Sequence, residues 1–221
     1  MLDLPDFSKA MSYENDFYMS CDPSRMAKVI AQYELYKMTM DIPGVIMECG
    51  IFKGTSLSRF AMFRELLGNT SSKKIIGFDV FGKFPETNYE EDKKVINRLF
   101  LDAAGDTGVS KEQMLEILKN KNCENNLELV AGDICETLPK YMKENPQLKI
   151  SLLNLDTDIY EPAVTILENC WDRIESGGVL IVDDYGVFPG ETKAVTEFLE
   201  SQTESVKKFY FANSPCYIIK R

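Results

Sequence analysis

The chain contains no histidine. That absence excludes Ser-His and Cys-His nucleophilic machinery and any imidazole-ligated zinc site. Its six cysteines (Cys21, Cys49, Cys123, Cys135, Cys170 and Cys216) form no C-x-x-C pair. Reduced thiols in a cytoplasmic protein are the expectation. No apolar stretch approaches the roughly 20 residues that span a bilayer. The N-terminal "MLDLPDFSKAMSYENDF" lacks a basic head followed by an apolar run, so it is not read as a secretory signal. Positive charge is also scarce. A net charge of −10 disfavours binding to phosphate backbones, so no nucleic-acid partner is expected. Internal repeats, low-complexity tracts and linker-like boundaries are missing too.

What is present is a globular composition, 44% hydrophobic and 27% charged over 221 residues. It suits one domain, 1–221, with 1–40 as an N-terminal lid or packing segment and 44–221 as the core. Residues 1–20 look irregular. From Asp22 the pattern predicts a helix, with Asp22 as N-cap, Pro23 at the first helical position, and a stripe of Met26, Val29, Ile30, Tyr33 and Tyr36. Five apolar strands follow: "GVIMEC", "KKIIGFDVF", "LELVAGD", "LKISLLNLD" and "GGVLIVDD". Helical segments at about 90–104, 111–121, 136–145, 160–174 and 190–202 lie between or after them, which implies crossovers and a parallel α/β sheet with helices on both faces. At the end, strands 206–211 and 216–220 are joined by "ANSP", too short for a crossover, so they pair antiparallel. A seven-stranded, mostly parallel sheet closing in a hairpin resembles the Rossmann-like class I S-adenosylmethionine-dependent methyltransferases.

In such a sheet ligands sit beyond the carboxyl ends of the strands. Strand 1 ends in "ECGIFKGTS". Gly50 and Gly54 permit a tight turn, and Thr55 or Ser56 can cap the next helix. The spacing is G-x-x-x-G rather than G-x-G-x-x-G, so a cofactor without a pyrophosphate fits better, which argues against a nicotinamide oxidoreductase. Glu48 can bond the loop or the cofactor's ammonium group. After strand 2, Asp79 stands where an acid takes ribose hydroxyls. After strand 3, Asp133 and Ile134 can meet an adenine edge and face, though Asp133 equally reads as a helix N-cap. Asp156 and Asp158 follow strand 4, and Asp183 and Asp184 follow strand 5. Neighbouring parallel strands lie about 4.8 Å apart, so carboxylates at both tips can converge into an oxygen-only site suited to Mg²⁺.

These motifs, in this order from Val45 to Phe198, resemble the macrocin O-methyltransferase family, which methylates sugar hydroxyls of antibiotics. The resemblance implies S-adenosylmethionine and Mg²⁺ as cofactors, with Asp156, Asp183 and Asp184 as metal ligands. It maps Glu48, Gly50 and Asp79 to the cofactor site, and makes Asp156 the general base, with Asp158 as the alternative. It also implies a small, glycosidic acceptor, and a homodimer is plausible. Two other readings stand beside it. One is a Mg²⁺-dependent O-methyltransferase of catechol-like or other diols. The other is a phosphatase or phosphotransferase built on the "DTD" motif. Residues 80–89, with Lys83 available for an acidic group, are expected to flank the acceptor.

Overall fold

Alternation along the strands decides the layering. In the computed structural model, which describes residues 2–96 and 104–221, six strands form one sheet of order β3-β2-β1-β4-β5-β6. They are β1 (Val45–Cys49), β2 (Ile75–Asp79), β3 (Leu127–Ala131), β4 (Ile150–Leu155), β5 (Ile174–Val182) and β6 (Cys216–Ile219). The first five are mutually parallel, and β6 runs antiparallel to β5. Successive side chains go to opposite faces. Met47, Phe78, Leu153, Leu155, Leu180 and Val182 therefore pack into one apolar layer. Ile46, Ile75, Leu152, Val179 and Ile181 pack into the other.

Eight α-helices are described: α1 (Ala10–Ser20), α2 (Pro23–Met38), α3 (Thr55–Leu66), α4 (Glu90–Ile96), α5 (Lys111–Asn120), α6 (Ile134–Glu144), α7 (Tyr160–Cys170) and α8 (Pro189–Leu199). The first apolar layer is filled by α6, α7 and α8, and the second by α2, α3 and α5. The helix expected over 90–104 is described as far as Ile96, and its residues 97–103 lie outside the described residues.

Three expectations need correction. Residues 10–20 are helical rather than irregular, although α1 buries none of its side chains. Helix α2 begins as read, with Asp22 accepting from the Ser24 amide at 2.9 Å and Pro23 in the first turn. Its buried face, however, runs through Ala31, Gln32, Leu35 and Tyr36, while Ile30 is exposed. Finally, the sheet has six strands, not seven. Segment 206–211 contributes one bridge, Lys207 to Tyr217, and then turns away where the Ala212 amide bonds the Phe209 carbonyl.

Candidate active site

The loop after β1 is pressed against the tip of β4. Gly50 has φ 93°, and a Cβ there would lie 1.7 Å from the Asp156 carbonyl oxygen. The Asp156 amide in turn donates to the Cys49 carbonyl at 3.0 Å. Asp79 gathers this loop from the neighbouring strand. Its Oδ2 accepts from the amides of Ile51 (2.7 Å) and Phe52 (3.0 Å), and its Oδ1 from Phe81 (2.6 Å). A carboxylate has about four lone-pair sites, so three backbone bonds leave room for one more donor.

Glu48 is fully buried beneath the loop. Its Oε1 accepts from the Ser56 hydroxyl at 2.5 Å, whereas Oε2 has no partner. Burial pushes its carboxyl up to about 8; the Asp183 and Asp79 charges add to the rise, and the Ser56 bond opposes it. Across the β1–β4 pair stands Asn154, whose side-chain oxygen and nitrogen are both buried without partners. The expected helix cap is absent: Gly54, in the left-handed region, is the N-cap of α3 and no side chain caps it. Thr55 is exposed and lines a separate 620 Å³ cavity with Lys53 and Arg59. Asp133 does N-cap α6, accepting from the Cys135 amide at 2.8 Å, and Ile134 follows it.

A cavity of about 360 Å³ joins these strand ends. Its walls bring together Gly50, Asp79, Asp133, Ile134, Asp156 and Asp158. Glu48, Thr55, Ser56, Asp183 and Asp184 do not line it. Residues Val80, Gly82, Phe84, Pro85, Glu86 and Asn88 form the facing wall. Lys83 does not line it, and its ammonium lies 3.8 Å from the Asp106 carboxylate.

Several acidic residues crowd the tips of β4 and β5. Asp156, Asp158 and Asp184 each present a carboxylate oxygen, all within 4.8 Å of one another. Asp183 is not among them: its Oδ2 is paired with the ammonium of Lys28 on α2, and its Oδ1 is buried without a partner. Asp158 holds a left-handed backbone (φ 63°), unusual for a residue with a side chain and costly enough to need support from its surroundings. Glu191 of α8 lies beneath, fully buried. Its Oε1 accepts from the Asp184 amide at 2.9 Å, and its Oε2 has no partner. Burial raises Asp156, Asp158, Asp184 and Glu191 well above the usual carboxylate range, and each is raised further by neighbouring carboxylates. At Lys28 burial pulls downward, but Asp183, Asp156 and Asp184 outweigh it and hold the ammonium above its ordinary pKa.

Lys28, Glu191 and Asp92 did not emerge from the motifs. Asp92 of α4 is fully buried and accepts from the Gly190 amide (2.7 Å) and the Tyr160 amide (3.0 Å). It therefore caps α7 and α8 together, the two helices that follow the acidic loops. Glu161 fastens the cavity wall to α7, accepting from the Thr87 hydroxyl and the Asn88 amide, both at 2.8 Å.

Five parallel strands flanked by helices, with a closing antiparallel strand, make this the α/β methyltransferase fold. The macrocin-O-methyltransferase family model matches residues 19–208. The chain belongs to this macrocin-O-methyltransferase family. It is 24% identical over 147 residues to the 8-demethyl-8-(2,3-dimethoxy-alpha-L-rhamnosyl)-tetracenomycin-C 4'-O-methyltransferase of Streptomyces olivaceus, covering 66% of this chain and 54% of that protein. It is 26% identical over 165 residues to the demethyldecarbamoylnovobiocin O-methyltransferase of Streptomyces niveus, covering 72% of this chain and 59% of the relative. The chain thus spans little more than half the length of these curated relatives. The crystal structure of CalS11, a calicheamicin methyltransferase, matches with a TM-score of 0.78 at 26% identity, over 99% of this chain and 94% of that one.

Proposed function

We propose that this protein transfers the methyl group of S-adenosylmethionine to a hydroxyl of a sugar or sugar-bearing small molecule, with Mg²⁺ at the acidic cluster. One observation carries the reading: the cavity beside Gly50 and Asp79 is bounded by Asp156 and Asp158, so a nucleoside pocket and a proton acceptor share one wall. The relatives' names, which specify rhamnosyl and novobiocin-type acceptors, support a sugar hydroxyl.

The residues fit both cofactors. Glu48 Oε2 and the Asn154 amide, buried and unpartnered near the glycine loop, suit the polar amino-acid end of S-adenosylmethionine. Asp79 keeps a lone pair for a ribose hydroxyl, and Ile134 offers an apolar face to adenine. For the cation, the converging groups are all carboxylates, and Asp183 Oδ1 and Glu191 Oε2 are buried without partners, a donor set that suits a hard divalent ion. Asp156 and Asp184 belong both to the set expected from sequence and to the set that converges. When bound, the ion would lower the pKa of an acceptor hydroxyl.

The chain's own residues supply orientation and a base. The sulfonium is already activated, so the protein has to align a nucleophile and take its proton. Asp156 is the proposed acceptor of that proton. Asp156 lines the cavity, which puts its carboxylate within reach of an acceptor hydroxyl held there.

Calorimetric titration with S-adenosylhomocysteine tests the pocket. The wild type is expected to bind, and Asp79→Ala to lose at least about tenfold in affinity, because loop and ribose contacts go together. Equal affinity in both proteins contradicts the assignment.

A further inference from the structure

Thr55 belongs to a second cavity, of about 620 Å³, which shares no lining residue with the one at the strand tips. One wall is the N-terminal segment between Leu2 and Tyr13, pinned where the Leu2 carbonyl accepts from the Gln113 side-chain amide at 2.6 Å. The other wall comes from α3 and from residues of and beside α5. Three cations line the cavity, Lys53, Arg59 and Lys121, against one acid, Asp3, in a chain of net charge −10. None of the three is ion-paired among the described residues. Lys53 bonds the Ala104 carbonyl and Arg59 the Gln32 side chain (3.0 Å), both neutral acceptors. Burial and the neighbouring Arg25 charge lower the Arg59 pKa, and the Asp183, Glu48 and Asp156 charges offset this only in part. Helix α3 also starts here: Gly54 and Thr55 line the cavity, and no side chain caps the first turn. Ser58, one turn on, lines the same wall at 8% exposure, and its hydroxyl makes no hydrogen bond among the described residues.

We propose that this second cavity binds an amphipathic organic anion, a small molecule with an oxyanion head and an apolar body. The head has a matched set of partners: unpaired cations, an open helix start and a free hydroxyl, the combination that takes oxyanions elsewhere. The body has its own surface, supplied by Leu4, Phe7, Met62, Val109 and Ile117. The volume falls within the range of about 300–1,000 Å³ that suits small-molecule ligands. The site is independent of the methyl-transfer reading, because no residue is common to the two cavities. Charge and apolar surface are both required: a neutral chain lacks the head's partners, and a bare anion gains nothing from the apolar lining.

The test is calorimetric titration of the full-length protein with octyl phosphate, octanol and inorganic phosphate. One octyl phosphate is expected to bind per chain, at least about tenfold more tightly than either of the other two. Thr55→Glu puts a carboxylate into the cavity at the first position of α3, where an acid favours the helix, so the fold is kept while the anion is repelled. It is expected to weaken octyl phosphate at least about tenfold, as is the double variant Lys53→Met with Lys121→Met. A second readout locates the ligand: with methyl-labelled methionine, the Met62 resonance, assigned from Met62→Leu, is expected to shift on titration.

Octanol binding as tightly as octyl phosphate overturns the proposal, since the cavity would then be an apolar one without an anion site. Wild-type affinity in Thr55→Glu, or a Met62 methyl that does not move, places the ligand elsewhere and overturns it too. So does the absence of octyl phosphate binding.

Discussion

Gly50 and Asp156 are in backbone contact: the position a Cβ would take on Gly50 is 1.7 Å from the Asp156 carbonyl oxygen. The loop that shapes the cavity and the strand that carries the acids are therefore one packed unit. Gly50→Ala is expected to fail on two counts, the clash and a φ of 93° that suits glycine. The expected cost is more than about 1 kcal/mol of stability, with lost S-adenosylhomocysteine binding. Urea unfolding and calorimetry measure the two, and a wild-type result in both would show that the loop tolerates a side chain.

Asp92 gives a second test, at the start of the two helices that follow the acidic loops. Asp92→Ala leaves the amides of Tyr160 and Gly190 without their acceptor, at a cost of about 1–3 kcal/mol for each buried group. Asp92→Asn retains one acceptor and is expected to fall between. Gly190→Ala attacks the same contact from the other side, since its Cβ would lie 2.0 Å from Asp92 Oδ2. Chemical denaturation ranks the three, and equal stability of all of them with the wild type would remove Asp92 from the account.

Glu48 predicts a pH dependence of the cofactor-free protein. Its carboxyl titrates near 4.5 in the unfolded chain and about 8 in the folded one. Between those values the folded state keeps a proton that the unfolded state has lost. Stability therefore falls as pH rises through that window, with a slope of up to about 1.4 kcal/mol per pH unit for one proton. The acidic cluster shares this sign, so the informative quantity is the wild type minus Glu48→Gln. The variant is expected to lose stability less steeply between pH 5 and 8. Parallel curves would mean that Glu48 is ionised in the folded state.

Much of the architecture could be read in the sequence because buried parallel strands and their crossovers leave a repeating apolar signature. The five parallel strands and the carboxylates at their tips follow from that pattern. The face of α2 did not. Hydrophobic periodicity finds the side that meets aliphatic core, but α2 turns Lys28 and Gln32 inward because Asp183 and Arg59 lie beneath it. The seventh strand failed for a similar reason: aromatic residues 209–211 read as a strand, yet Phe209 stacks on Phe211 and the chain turns there. Asp92 and Glu191 gave no signal at all, since a long-range helix cap has no fixed sequence spacing.

The most direct test of the central claim is transfer of labelled methyl from S-adenosylmethionine to a deoxysugar glycoside, assayed with Mg²⁺ and with excess chelator. A methyl ether is expected with Mg²⁺. Its rate should fall at least about a hundredfold in chelator and in Asp184→Asn, while S-adenosylhomocysteine still binds. Full activity in chelator would contradict the metal's role, and cofactor binding without transfer to any glycosidic hydroxyl would contradict the proposed reaction.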